Sequence, residues 1–322
     1  MPLKFRGRAD VRELGAPLCS KLIFTANAIP ANVAALTGIN LARSILMKSW
    51  SSAMGMTAIV QTVSDITPNM RRIVFGGPDL ADFPQGKEGG YIKLVFPDLP
   101  EVKPGRPVMR TYSIRAQDAA KGEIAVDFAL HADTGGIAID WAAQAKPGDA
   151  MPIRGPGTVK MAPADADWYL IAGDMTGQPA AMCNLEILPE NAKGYAVFEI
   201  TSESDRQDLS VPEGIAVHWI VNPNPQDLNH KLLDAVRALV WLDGDPFIWT
   251  ACEFDTMRAL RTYYRTERGV DKQRLYLSSY WRSGRTEDQH KVDKNKDAQA
   301  DAPLVKSLAM GVLRSVRSLT SK

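Results

Sequence analysis

The 322-residue chain is short of the side chains that hold metals and electrons unaided. It has three cysteines, Cys19, Cys183 and Cys252, and none has C-x-x-C spacing. Iron–sulfur clusters take four thiolates, so no cluster of its own is expected. This usage suits a reducing compartment, and a cytoplasmic location is expected. The four histidines, His131, His218, His230 and His290, lack paired metal-ligand spacing, so no metal site is expected. No apolar run approaches the length of a membrane span. Residues 21–42 are moderately apolar, but Asn27, Pro30, Asn32, Thr37 and Asn40 interrupt them; the stretch starts late for a signal peptide and export is not expected. With a formal net charge of +1, no global field argues for nucleic acid. Neither G-x-G-x-x-G nor G-x-x-x-x-G-K-[ST] occurs, which counts against a standard dehydrogenase and a P-loop enzyme.

At 45% hydrophobic the chain can bury two cores of ordinary size. Residues 1–56 have a basic start and then helical spacing at Val33, Leu36, Ile39, Leu41, Ile45 and Leu46, which predicts an N-terminal helical extension. Residues 57–160 hold short β-rich runs separated by Gly/Pro turns, as in a small antiparallel barrel. Residues 161–290 alternate strand and helix, which predicts a parallel, doubly wound α/β domain. Residues 291–322 read as a charged linker ending in an amphipathic helix at Leu304, Leu308, Val312, Val316 and Leu319. From Arg258 to Lys322 there are fifteen basic and seven acidic residues, against twenty-three and thirty elsewhere. That asymmetry suggests a local anionic partner, with solvated surface charge as the simpler alternative.

The most telling stretch is Arg110-Thr111-Tyr112-Ser113-Ile114-Arg115. A cation, an aromatic ring and a hydroxyl on one strand are expected to project to one face. A flat anionic dinucleotide such as FAD uses such groups: Arg110 for phosphate, Tyr112 against the ring system, Ser113 near the ring edge. Further on, Gly135-Gly136-Ile137-Ala138 opens a helical pattern, and the N–H groups of such a turn receive a pyrophosphate. Taken alone, the first stretch also reads as an amphipathic strand with solvated arginines. In the second half, Gly173, Asp174, Thr176, Gly177 and Pro179 form a strand-to-helix turn where a nicotinamide nucleotide is expected, or else a plain turn. Thr176 is expected to serve both cofactor sites. Ser202 and Arg206 suit a ribose 2′-phosphate, whereas Glu203 and Asp205 equally suit a free ribose.

RTYSIR, VDFALHADTGGIAIDWAAQAKPGD, YLIAGDMTGQPA and SSYWRSGRTED, in this order, resemble the pattern of siderophore-interacting proteins. These are a branch of the ferredoxin–NADP reductase-like flavoproteins that reduces ferric siderophores. The resemblance runs from about Thr57 to about His290. It implies a two-domain fold, with an FAD-binding β-barrel before an NAD(P)H-binding α/β domain. It also implies that Thr111 lies in the FAD site and His131 near the flavin or ribityl chain. Lys93, Arg282, Arg285 and Lys291 are implied as a cationic pocket for an anionic ferric chelate. The pyrophosphate turn departs from the family's usual Gly-Pro-Ala-Ser, with Ile137 and Ile139 replacing Pro and Ser. Met175, Gly177 and Gln178 depart from its usual Gly-Asp-Glu-Thr-Ala-Leu-Pro.

The resemblance implies reduction of ferric siderophores, with electrons from NAD(P)H or ferredoxin passing through bound FAD to release Fe(II). Hydride carries two electrons and Fe(III) accepts one, a mismatch that a flavin resolves. No triad or carboxylate pair is needed, and a monomer is expected. Two alternatives stand beside this reading. One is a general NAD(P)H:flavin or ferredoxin-linked reductase, which would not need the Lys/Arg pocket. The other is a flavin-bearing ferric-chelate binding protein without turnover.

Overall fold

The computed structural model describes residues 55–102, 104–130 and 136–301. The expected N-terminal and C-terminal helices lie outside the described residues, as do His131 and Gly135.

Six antiparallel strands close into a barrel: β1 (Met56–Thr67), β2 (Met70–Gly76), β3 (Tyr91–Phe96), β4 (Val108–Asp118), β5 (Glu123–Ala129) and β6 (Ala150–Arg154). They run in the order β1-β2-β5-β4-β3-β6. Alternation sends Ile73 and Phe75, Ile92 and Leu94, and Ile124, Val126 and Phe128 into one core. Helix α1 (Ile137–Gln144) connects β5 to β6 and packs on that core through Ala138, Trp141 and Ala142. The Trp141 ring stacks on Phe75 with centroids 6.0 Å apart. The closing strand β6 is not apparent in the sequence. It is five residues long and contains Pro152, which has no N–H for a ladder.

Five parallel strands form the second half: β7 (Trp168–Gly173), β8 (Lys193–Ile200), β9 (Gly214–Val221), β10 (Pro246–Glu253) and β11 (Leu275–Trp281). Their order is β11-β10-β7-β8-β9. Along β7, Trp168, Leu170 and Ala172 enter one core while Tyr169 and Ile171 enter the other. Both faces are therefore covered, as a parallel sheet requires. Helix α2 (Gln178–Glu186) covers one face through Ala180, Ala181 and Leu185. Helices α3 (Lys231–Ala238) and α4 (Phe254–Thr262) cover the other. A single helix is expected from Glu253 to about Arg268. Instead Glu253 ends β10 and caps α4, and the last turn is a π-helical one at Tyr263–Glu267.

The expected linker is also corrected. Helix α5 (Glu287–Asp301) occupies its first part, with Glu287 and Asp288 in the favourable first turn. Its low hydrophobicity suggests a linker because its anchors are ionic rather than apolar. Asp297 accepts both terminal nitrogens of Arg261 at 2.7 Å, and Asp301 pairs with Arg265 at 2.7 Å. Several arginines of the basic C-terminal third thus have partners inside the chain.

The two halves are joined at Asp205, which is 0% exposed. Its carboxylate accepts from Thr67 Oγ1 at 2.8 Å, Asn69 N at 3.0 Å and Asn69 Nδ2 at 2.8 Å in the β1–β2 turn. It also accepts from Ser202 N at 3.0 Å. The expected ribose role for Asp205 is thereby overturned, because these donors fill its oxygens. Removing a carboxylate that satisfies four buried or half-buried donors costs about 1.5–3 kcal/mol per charged hydrogen bond, without full additivity. We therefore predict that Asp205→Ala lowers unfolding free energy by at least about 3 kcal/mol in urea titration, with Asp205→Asn milder.

Candidate functional site

A cleft of about 1070 Å³ lies where β3 and β4 of the barrel face the carboxyl ends of the parallel strands. Ligands of open α/β sheets bind at such strand ends. Arg110, Thr111, Tyr112, Ser113, Gly136, Ala138, Asp174 and Thr176 all line it. Lys93, Arg282, Arg285 and Lys291 line the same cleft although about two hundred residues separate the first from the others.

The β4 residues do not share one face. In the β3–β4 register Ile92 is opposite Tyr112, and Lys93 is opposite Thr111. Tyr112 therefore packs against the barrel core, its ring centroid 4.3 Å from Phe128, and burial drives its phenol well above the usual range. Ser113 has the opposite parity, and at 9% exposure it is buried on the cleft wall. This corrects the one-face expectation. All these residues nevertheless line the cleft.

The uncapped N-terminus of α1 adds a second element. Gly136 is its N-cap and has no side chain to cap it; its own N–H donates to Asp140 Oδ2 at 3.4 Å, and the N–H groups of the first helical residues remain available beside the cleft wall. The arrangement fits FAD: an arginine, a buried hydroxyl, an aromatic ring and a helix N-terminus surround one dinucleotide-sized space. Helix α5 crosses the same wall. Glu287 accepts from Thr111 N at 2.9 Å and Thr111 Oγ1 at 2.8 Å, while Asp288 lies 3.5 Å from Arg110.

At the β7 turn, Asp174 is satisfied from within the chain. Its Oδ1 accepts from Thr176 N at 2.9 Å and Thr176 Oγ1 at 2.6 Å, and its Oδ2 accepts from Trp281 Nε1 at 2.7 Å. Burial raises its pKa, and these donors oppose the rise. Asp174 thus shapes the turn and ties it to the end of β11. Glycine is needed here at two places, since a Cβ on Gly173 or Gly177 would lie 2.9 or 2.1 Å from Ala251 O.

Ser202 and Arg206 do not line the cleft. Ser202 caps a short 3₁₀ turn, and Arg206 pairs with Glu203 at 2.5 Å on the surface. The cationic residues are also engaged. Arg282 pairs with Asp293 at 2.7 Å and lies 4.5 Å from the centroid of the Phe254 ring. Arg285 lies 3.7 Å from Asp293, and Lys291 pairs with Glu287 at 3.0 Å. Lys93 lies 5.9 Å from the centroid of its neighbour Tyr91, and burial, then the Lys291 charge, lowers its pKa. Among the described residues no cluster of three or more His, Cys, Asp or Glu could hold a metal ion, and no helix is long and apolar enough to cross a membrane.

Sequence reading missed two inward-facing residues of α5. His290 is 3% exposed, and its Nε2 lies 2.9 Å from Ser279 Oγ. Lys294 donates to Ser279 O at 2.8 Å and to Ser278 Oγ at 3.4 Å. Their four-residue spacing is the signal that could have revealed one helix face.

An antiparallel barrel joined to a parallel α/β half, with the site between them, defines the ferredoxin–NADP reductase-like class. A ferredoxin reductase of a carbazole 1,9a-dioxygenase shares this fold at 19% identity and a TM-score of 0.54, covering 70% of this chain and 68% of its own. Residues 166–284 match the siderophore-interacting protein model, and residues 59–105 and 99–160 match the siderophore-interacting FAD-binding domain. The ferric vibriobactin reductase ViuB of Vibrio cholerae is 29% identical over 247 residues, 71% of this chain and 90% of that protein. An NADPH-dependent ferric-chelate reductase of Escherichia coli is 30% identical over 240 residues, 69% of this chain and 91% of that protein. The crystal structure of the siderophore-interacting protein SipS from Aeromonas hydrophila has a TM-score of 0.66 at 30% identity, covering 76% of this chain and 97% of that one. The chain belongs to the siderophore-interacting protein family.

Burial lowers the His290 pKa to about 4. In the unfolded chain it returns to about 6.5, so between these values the unfolded state binds more protons. The contribution from His290 is full above about pH 6.5 and is lost as pH falls toward 4. We expect thermal melts of the wild type to lose stability across this interval more steeply than those of His290→Gln. Parallel curves would show that His290 is not held neutral.

Proposed function

We propose that this protein reduces ferric siderophores, passing electrons from a nicotinamide nucleotide through FAD to the iron of an anionic chelate. The observation that carries this reading is the single cleft: the flavin-type residues of β4 and α1, the β7 turn and four cationic side chains all line it. The names of the two reductase relatives support it.

When bound, FAD would accept hydride and return electrons one at a time. Arg110 would hold its phosphate charge, and the Gly136–Ala138 turn would offer N–H groups to the pyrophosphate. Ser113 would hydrogen-bond at the ring edge, and Tyr112, backed by Phe128, would form an apolar wall. Asp174 would keep Thr176 and Trp281 in place beside the nicotinamide. Lys93, Arg282, Arg285 and Lys291 would attract the negatively charged chelate, whose oxygen ligands already satisfy the ferric ion. The acidic partners of three of these cations weaken that attraction without abolishing it. NADPH is the favoured donor because of the E. coli relative's name, with Arg206 available to a 2′-phosphate only if it leaves Glu203. Reduced ferredoxin is the alternative donor.

The test is anaerobic. FAD-loaded protein should bleach on adding NADPH, NADH or reduced ferredoxin, and recover its colour when a ferric chelate is added. Bleaching without recovery on any chelate would favour the general reductase, and no bleaching by any donor the non-catalytic binding protein. Arg110→Ala should weaken FAD binding by about one to two decades in a fluorescence titration, from loss of a charged hydrogen bond of about 1.5–3 kcal/mol. The Arg282→Ala, Arg285→Ala double variant should raise KM for an anionic ferric chelate but not for a neutral one, and added salt should act similarly. Equal effects on both chelates would remove the charge argument.

A further inference from the structure

The sheet places β9 and β11 at opposite edges, with β8, β7 and β10 between them. Four strand spacings of about 4.8 Å put those edges about 19 Å apart. Yet Ser283, two residues beyond β11, meets Gln226, five residues beyond β9. The Ser283 Oγ donates at 3.1 Å to the Gln226 carbonyl oxygen and at 3.1 Å to its Oε1. Those seven residues span at most about 24 Å, so the two segments run toward each other over the carboxyl ends of the intervening strands. The side chains beneath trace the same path. Asn222 donates to Glu199 of β8 at 3.0 Å, Trp281 to Asp174 just after β7 at 2.7 Å, and Ser283 N to Glu253 of β10 at 3.3 Å. Residues 222–230 and 281–284 thus roof the end of the sheet where nucleotides bind in such folds. Asn222, Pro225, Gln226, Ser283 and Gly284 line the cleft from that roof.

The roof has a fixed neck and a lightly held tip. At the neck, the Asn222 and Asn229 side chains exchange hydrogen bonds at 3.2 and 2.9 Å, and Lys231 Nζ donates to Val221 O at 3.0 Å. At the tip, the single O–H of Ser283 is shared between the two oxygens of Gln226. We propose that Ser283 and Gln226 form a latch that sets which electron donor reaches the flavin. A nicotinamide nucleotide must part it to seat against Thr176, whereas a small reductant need not. The latch rests on the proposed function and names two residues that determine its donor specificity.

A closed latch lowers nucleotide affinity without touching the nucleotide. Apparent affinity scales with the fraction of molecules that are open, so loosening the joint raises it. One neutral hydrogen bond shifts such an equilibrium by about two- to tenfold. A residue that contacted the nucleotide would act the other way, because its loss would weaken binding. The sign of the change therefore separates a latch from a ligand contact. Gln226 supplies a graded case, since truncating its side chain leaves its backbone carbonyl to accept from Ser283.

The test is calorimetric titration of the FAD-loaded protein with NADP⁺ and NAD⁺, which bind without turnover. Ser283→Ala should bind them about two- to tenfold more tightly than wild type. Gln226→Ala should show a smaller gain, and Ser283→Thr, which keeps the hydroxyl, should return to the wild-type value. Amide hydrogen exchange of residues 223–228 should quicken in Ser283→Ala before any nucleotide is added. In anaerobic stopped flow, bleaching by limiting NADPH should quicken in Ser283→Ala, while bleaching by dithionite should keep its wild-type rate. Unchanged or weaker nucleotide binding in Ser283→Ala would overturn the latch, and so would binding of neither nucleotide to either protein. Tighter binding without reoxidation of the flavin by any ferric chelate leaves the latch standing and removes the substrate reading. Unchanged binding alongside NADPH-driven reduction of a ferric chelate removes the latch alone.

Discussion

The site depends on one buried carboxylate. Asp205 belongs to the α/β half, yet three of its four donors come from Thr67 and Asn69 in the barrel. A charge with 0% exposure is costly unless each oxygen is satisfied, so the two halves can separate only at a large penalty. Around it, Met70 of the barrel packs with Met175 and Ile200 of the sheet half. On the far side Arg115 of β4 pairs with Glu186 of α2, and Cys183 donates to the Arg115 carbonyl at 3.2 Å. With these contacts made, the flavin-type strand and the nucleotide-type turn face each other across a space of set width.

Within that frame the cleft is arranged by charge more than by apolar packing. Helix α5 crosses it with Glu287 on Thr111 at one end and Asp297 and Asp301 on Arg261 and Arg265 at the other. Between these anchors, His290 and Lys294 bind the backbone and hydroxyls at the end of β11. Many arginines that look free in the sequence are therefore structural. Three of the cations at the mouth, Arg282, Arg285 and Lys291, are partly neutralised by Asp293 and Glu287.

Asp174 and Asp205 show how a polar residue can lie in a functional region and act only by positioning. Both sit next to turns where nucleotide contacts are expected, and both have their oxygens taken by donors within the chain. Asp174 acts through Trp281 and Thr176, and Asp205 through the relative placement of the two halves. Their substitution should alter the site through geometry rather than through a lost ligand contact.

The sequence by itself determined the class of fold and the family. Alternating apolar residues in β7 and β10 and the short β-rich runs before them are local patterns legible from spacing, and the RTYSIR and YWRSGRTED segments carry the family resemblance. The strand β6, disguised by Pro152, and the helix α5, held by ion pairs rather than an apolar stripe, were not. Nor was the use made of each polar group. Arg282 and Asp174 each have a local environment compatible with contact to a ligand. Whether an oxygen or guanidinium is free depends on partners that the local pattern does not reveal, such as Asp293 for Arg282 and Trp281 for Asp174. The tertiary structure decided those pairings, because hydrogen bonds and charge interactions are short-ranged in space and indifferent to separation along the chain.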